Sequence, residues 1–329
     1  MNSSKFNRRQ WLKRIGASGA ALTVAGLGAN DLALVADAAT IRKRVIRFAH
    51  LTDVHVEPEL AADQGMAACL QHVQAQPDAP EFLLFGGDCV FDSMASDATR
   101  TGDLWDLWKR VLKDSNSLST EFCIGNHDVF GWTKTKSKAT GQEANYGKAW
   151  ALEMLGLSKS YRSFEKAGWH FIVLDSIHPL EDHYMGRLDD EQMAWLVNDL
   201  NKVSPTTPVL ILSHIPIFSV TSMLGPKTTG EANSTVISSG SMHSDWRDLR
   251  ALFRKHPNVK LCLSGHTHLI DRVDSAGVTY ICDGAVSGDW WKGNHLGECE
   301  PGYGMLDLYD DGTFDHQYVT YGWKTRSNG

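Results

Sequence analysis

The chain has 329 residues, 42% of them apolar and 22% charged, with a formal net charge of −7. That length allows one large or two modest globular domains, and the acidic balance excludes a general nucleic-acid binder, which needs a basic face. Six cysteines with no C-x-x-C pair exclude a zinc ribbon and a thioredoxin-like motif.

Residues 1–38 read as a leader rather than as part of the fold. Asn7-Arg8-Arg9-Gln10-Trp11-Leu12-Lys13 resembles a twin-arginine export signal. The Gly/Ala-rich run 15–27 is too short for a membrane span, which needs about 20 apolar residues. Ala36-Asp37-Ala38 then supplies an A-x-A cleavage pattern. The alternative is a basic amphipathic helix. The export reading implies a bacterial protein carried already folded by the twin-arginine machinery, periplasmic or secreted, with no transmembrane anchor after cleavage. These residues carry five basic and two acidic side chains, so the remainder sits near −10.

The next segments alternate strand and helix. Residues 45–52 form a strand ending in Asp53-Val54-His55, and residues 59–73 carry apolar side chains at helical spacing. Phe82-Leu83-Leu84-Phe85 reads as a strand buried on both faces, turned by Gly86-Gly87 to deliver Asp88. Leu104, Leu107, Trp108, Val111 and Leu112 make a helix stripe. A short strand, 121–124, leads into Gly125-Asn126-His127-Asp128. This order calls for a mainly parallel sheet with right-handed crossovers.

Residues 131–148 read as an exposed loop, with Lys134, Lys136 and Lys138 solvated. Residues 161–165 and 169–174 form a strand pair around Ala167-Gly168. Asp189 caps a helix with Gln192 as the partner reaching back. Residues 208–213 are another buried strand, ending at His214. A second long loop, 219–243, contains Gly225, Pro226 and Gly230, and loops of that length in a compact domain are functional or disordered. A helix marked by Trp246, Leu249, Leu252 and Phe253 stops at His256-Pro257 and precedes a strand over 259–263, which ends in Ser264-Gly265-His266-Thr267-His268. Strand-like pieces follow at 278–282, 303–309 and 313–320, with Asp310-Asp311-Gly312 as a hairpin turn. The cysteines read as small buried apolar side chains, with a Cys262–Cys282 disulfide left open.

Five segments thus end an apolar run with metal-ligand residue types: Asp53/His55, Asp88, Asn126/His127, His214 and His266/His268. Alone, each is more often a capped turn or a hydrogen-bonded histidine. Together they would meet at one sheet edge. Mixed oxygen and imidazole donors suit iron, zinc or manganese better than calcium. So many ligand types exceed one tetrahedral site and suit two ions sharing a carboxylate, a role that falls to Asp88. Such a pair acidifies water for in-line attack on phosphorus, while a histidine neutralises charge gathering on the phosphoryl group.

The pattern D-x-H, G-D, G-N-H-D, S-H and G-H-T-H, from Asp53 to His268, resembles the calcineurin-like metallophosphoesterase superfamily. The resemblance implies an α/β fold, a four-layer αββα sandwich. Residues 39–275 would form the catalytic domain and residues 276–329 the strands completing it. It implies that Asp53, His55, Asp88 and His268 bind one divalent or trivalent ion and Asp88, Asn126, His214 and His266 a second. His127 would be the catalytic group rather than a ligand. The implied substrate is a small phosphate ester, with a diester favoured over a monoester and no stable nucleic-acid binding. A non-catalytic periplasmic metal- or ligand-binding protein is the rival of a different class.

Two departures stand out. Many relatives place an aspartate three residues after the bridging one. Here Phe91 stands there and Asp92 follows, which leaves the partner of His127 open. Phe91 also occupies the position of the metal-binding tyrosine of purple acid phosphatases, so no tyrosinate charge-transfer band is expected. Trp290 and Trp291 are candidates to stack on a flat leaving group, or alternatively to pack the C-terminal strands. His243 and His295 sit in loops within reach of the mouth or simply in solvent. Glu57 and Asp128 are placed to orient ligands, and Arg187 reads as a surface residue.

Overall fold

The computed structural model describes residues 42–224, 228–229, 235–293 and 299–324. Residues 1–41, with Gly225, Pro226, Gly230 and His295, lie outside the described residues. Among the described residues no helix is long and apolar enough to cross a membrane.

The architecture follows from strands whose two faces are both apolar. In β1 (Arg44–Leu51), Ile46 and Phe48 face one way and Ala49 and Leu51 the other. In β2 (Phe82–Phe85), Phe82 and Leu84 are paired against Leu83 and Phe85 in the same manner. One face of each strand packs against helices α1 (Ala62–Gln74) and α2 (Ala98–Ser115). The other packs against a second sheet, in a shared core with Phe171, Leu210, Leu212, Leu261 and Leu263. The outer face of that second sheet is covered by α5 (Asp190–Lys202) and α6 (Trp246–Phe253). Period-two side-chain alternation in doubly buried strands thus builds four layers, helix–sheet–sheet–helix. Two short helices, α3 (Lys134–Ser137) and α4 (Ala149–Leu155), lie in and after the first long loop.

The first sheet also contains β3 (Ser119–Phe122), β14 (Gly302–Tyr309) and β15 (Phe314–Thr320), in the order β15-β14-β1-β2-β3. Strands β1, β2 and β3 are parallel, and β14 and β15 join antiparallel. The second sheet runs β12-β13-β11-β8-β5-β4 and contains β4 (Arg162–Lys166), β5 (Trp169–Leu174), β8 (Val209–Ser213), β11 (Val259–Ser264), β12 (Asp271–Ser275) and β13 (Val278–Cys282). Its central strands β5, β8, β11 and β13 are parallel. Each sheet therefore ends its parallel strands at one edge, where the connecting loops carry the polar residues.

Some local expectations change. A hairpin of β6 (Ile177–Leu180) and β7 (His183–Gly186) stands where no strand is legible, because Pro179, Glu181 and Asp182 mask its pattern. The loop between β8 and α6 contains a short pair, β9 (Thr228–Thr229) with β10 (Thr235–Val236). Asp189 does cap α5, accepting from Gln192 N at 2.7 Å. The Gln192 side chain does not reach back. It brackets the Asp175 backbone, accepting from its N–H and donating to its C=O, both at 2.9 Å. The six cysteines are buried and unpaired. The β11–β13 register sets Cys262 opposite Tyr280 and Cys282 opposite Ser264, which separates the two thiols.

Candidate metal centre

Both sheets contribute to one site at their shared edge. From the first come Asp53 and His55 after β1, Asp88 after β2, and Asn126 and His127 after β3. From the second come His214 after β8, and His266 and His268 after β11. Asp53, His55, Asp88, His266 and His268 all take left-handed φ, between 47° and 72°. Such conformations cost of order 1–3 kcal/mol each in non-glycine residues, and they persist where the surroundings over-determine them. Here the main chain turns to aim five side chains inward.

Two groups of ligand atoms result. Asp53, His55 and His268 form one, and Asp88, His214 and His266 the other, with atoms in each group within 4.8 Å of one another. Asp88 Oδ2 stands between them, 3.1 Å from His214 Nε2 and 3.7 Å from His55 Nε2. Asn126 Oδ1 lies 3.2 Å from His214 Nε2, beside the second group. All seven residues cited from sequence as ligands are therefore together.

The ring orientations are fixed from behind. His268 donates Nδ1–H to Gly288 O at 2.8 Å, His214 to Gly86 O at 2.8 Å, and His55 to Phe91 O at 3.3 Å. Each ring thereby aims Nε2 at the centre, the arrangement in which outer contacts orient a metal ligand. Burial opposes the charge on His214, but Asp88 outweighs it and raises the pKa to about 9, so that Nε2 carries a proton which a bound cation would displace. Burial pushes the His55 imidazolium down to about 4. Burial and the neighbouring His214 charge push His266 down to about 3. Both are thus neutral near pH 7 and able to bind a cation. Burial opposes ionisation of Asp88 and Asp53, but the surrounding imidazoles outweigh it and hold both carboxyls well below the usual range. Asp53 Oδ1 is buried with no hydrogen-bond partner. An orphaned carboxylate oxygen facing imidazole lone pairs fits a cation.

The turns are locked to one another. Asp128 accepts from Cys89 N and Val90 N with one oxygen and from Gly125 N with the other, tying the turn after β2 to the turn after β3. Asp88 Oδ1 accepts from His127 N at 2.7 Å. Only glycine fits at 125, where a Cβ would lie 2.1 Å from Asp88 Oδ1.

His127 sits at the rim, with its side chain 23% exposed and Nδ1 3.4 Å from Asp92 Oδ1. The question left open by Phe91 is thereby answered in space: the residue after it faces His127. Burial lowers the His127 pKa, but the charges of Asp88 and Asp92 more than compensate and raise it above its ordinary value.

Residues 46–269 match the family described as calcineurin-like phosphoesterase. The chain belongs to that family. This calcineurin-like phosphoesterase is 25% identical over 282 residues to a 3′,5′-cyclic-nucleotide phosphodiesterase from Nostoc sp. (strain PCC 7120), covering 83% of this chain and 91% of the relative. It is 31% identical over 125 residues to purple acid phosphatase 21 from Arabidopsis thaliana, which spans 35% of this chain and 26% of that one. Among solved structures, a dimetal phosphatase from Danio rerio aligns with a TM-score of 0.54 at 13% identity, over 85% of this chain and all of that one. The chain is a phosphoric ester hydrolase by family, and the αββα sandwich is the family's fold.

The loosely held residues separate. Trp290 lies against three site histidines, with ring centroids 3.9 Å from His55, 4.9 Å from His127 and 5.1 Å from His268. Trp291 does not face the mouth. It is wholly buried in the core of the first sheet, and its indole N–H is shared by the carbonyls of Val54 and His55. His243 is not a rim residue either. It is buried, with Nδ1 2.8 Å from Asp245 and Nε2 3.0 Å from Ser213 Oγ, so neither nitrogen is free for substrate. Arg187 bonds Leu188 O and Asp190. Sequence reasoning missed Tyr184, whose ring meets His266 edge-on at 5.9 Å. Its hairpin carries no periodic signal.

Proposed function

We propose that this phosphoesterase hydrolyses a small phosphate diester at a two-cation site, with Asp53, His55, Asp88 and His268 holding one ion and Asp88, Asn126, His214 and His266 the other. The observation that carries this is Asp88 Oδ2 lying between two groups of neutral or orientable imidazoles. Iron, manganese and zinc all suit the donor set. When bound, the cations supply Lewis-acid charge and acidify water at neutral pH. The chain's own groups do the rest. His127 is positioned to stabilise the phosphoryl group and to protonate the departing oxygen, with Asp92 keeping it charged. Trp290 and Phe91, whose rings meet at 5.6 Å, form an apolar wall beside His127, on the leaving-group side of that reading.

Two features support a diester. The strongest charges acting on Asp53, Asp88 and His127 come from histidines and carboxylates rather than from lysine or arginine. A monoester dianion would present one more negative charge to be met. The Nostoc relative, named for cyclic nucleotides, is matched over most of its length. The monoester reading is favoured by the Danio rerio dimetal phosphatase and the partial likeness to purple acid phosphatase 21. Metal-loaded protein is assayed on bis(p-nitrophenyl) phosphate, 3′,5′-cyclic nucleotides and p-nitrophenyl phosphate. Faster turnover of the diesters is expected, and activity on the monoester alone overturns the diester reading.

We infer export as well, from the twin-arginine sequence alone. Replacing Arg8 and Arg9 by lysine should retain the protein in the cytoplasm, and unchanged export would refute this.

A further inference from the structure

Beyond residue 269, where the family match ends, residues 283–291 follow β13 and touch the first ligand group repeatedly. Val286 N donates to Thr52 O at 2.9 Å, and Ser287 donates to Asp53 O through both its amide and its hydroxyl, at 3.2 and 2.7 Å. Gly288 O accepts the His268 Nδ1–H, which fixes that ring. Trp291 clamps the backbone at Val54 and His55, and Trp290 lies on the His55 ring. Asp53, His55 and His268, the whole of one ligand group, are held by nine consecutive residues.

The start of this segment is itself anchored. Asp283 accepts from His50 Nδ1 at 2.7 Å and from His316 Nε2 at 2.8 Å, bridging β1 to β15 beneath the site. Asp283 and His50 are fully buried. Burial opposes the charge on Asp283, but His316 and His50 outweigh it and hold the carboxyl well below its ordinary range. The array has room because residue 304, opposite His50 in the β1–β14 ladder, is glycine. A Cβ there would lie 2.2 Å from Asp283 Oδ2. His50 Nε2 is buried without a hydrogen-bond partner. Leaving such a group unpaired opposes stability, which sets the array apart from the apolar packing around it.

We propose that residues 283–291, anchored by the His50–Asp283–His316 array, are the positioning element that sets the cation affinity of the Asp53/His55/His268 group independently of the Asp88/Asn126/His214/His266 group. The inference rests on the two-cation reading above. Ser287 and Asp283 are positioning residues, since each acts through Asp53 or through the segment that holds it.

Chelator-stripped full-length protein is titrated with Mn²⁺ by calorimetry. His268→Ala and His214→Ala assign the two binding events to their groups. Ser287→Ala and Asp283→Asn should each weaken the event assigned to the His268 group by about 10–100-fold, the usual effect of losing an outer contact to a metal ligand. The other event and the circular dichroism spectrum of the stripped protein should not change. Unchanged affinities in both variants, or equal loss at both events, overturn the proposal while leaving two-cation binding intact. Wild-type protein that binds no Mn²⁺ overturns the two-cation reading itself. Should Asp283→Asn fail to fold, Ser287→Ala decides, because it removes a single hydroxyl.

Discussion

His55 and His268 bring their Nε2 atoms to 3.0 Å although each imidazole directs its Nδ1 at a backbone carbonyl. With both Nδ1 atoms turned to carbonyls, the two Nε2 atoms converge on one point, where a cation would be held by both rings. Metal loading should therefore stabilise the protein by about 2.7 kcal/mol at one hundred times the dissociation constant. Thermal melts with and without chelator measure this, and an unchanged midpoint would count against a cation at this position.

His127→Ala should lower kcat by about 10²–10⁴-fold while metal content, read by elemental analysis, stays at the wild-type level. The loss should be greatest for substrates with poor leaving groups, because those depend most on protonation of the departing oxygen. An equal loss on good and poor leaving groups would leave His127 with charge stabilisation alone.

Asp92→Asn probes how that proton is kept. Asp88 and Asp92 together raise the His127 pKa against burial. An acid works in its protonated form, so activity falls as pH rises through this pKa. Removing the Asp92 charge lowers it, and the alkaline limb of kcat/KM should move to lower pH. A limb that stays in place would assign it to another group.

The adjacent tryptophans should give opposite phenotypes. Trp291→Ala removes a wholly buried ring and should cost about 3–5 kcal/mol in denaturant unfolding. Trp290→Ala should leave most of the stability but raise KM for esters with aromatic leaving groups relative to aliphatic ones. The same KM change for both ester types would remove Trp290 from substrate contact.

A separate pH effect belongs to the far edge of the second sheet. His170 is held between Glu165 and Asp199, the latter at 2.7 Å, and joins β5 to α5. Burial lowers its pKa, but the two carboxylates raise it by more. The raised value means that stability from this contact is fully present below the unfolded pKa, near 6.5, and fades as pH rises through the folded one. His170→Asn should therefore lose about 1 kcal/mol at mildly acid pH, after allowance for screening at exposed Glu165, and almost nothing in alkaline solution. Equal losses at both pH values would refute the charge-based account.

The convergence of the candidate ligand residues was legible because each follows an apolar strand, and parallel strands share an edge. The αββα layering was legible from residues such as Phe82 to Phe85, which are apolar on both faces. Trp290 and Trp291 were not separable, since side-chain direction there depends on two successive left-handed residues, at φ 53° and 61°. The contact of Gly288 was invisible because it acts through a backbone oxygen, and that of Ser287 because nothing in the sequence pairs its hydroxyl with Asp53 O, 234 positions away. His50 left a readable trace as a polar residue inside an apolar strand. Its partner Asp283, 233 positions away, did not, nor did His316, which bonds the same carboxylate. The hairpin carrying Tyr184 has no alternation to detect.

Strand β1 lies between β2, completed within forty residues of it, and β14, which ends at position 309. During synthesis the strand that delivers Asp53 must remain open along one side until β14, about 250 residues further on, has emerged from the ribosome. A product truncated before β14 would expose a sticky edge instead of a catalyst.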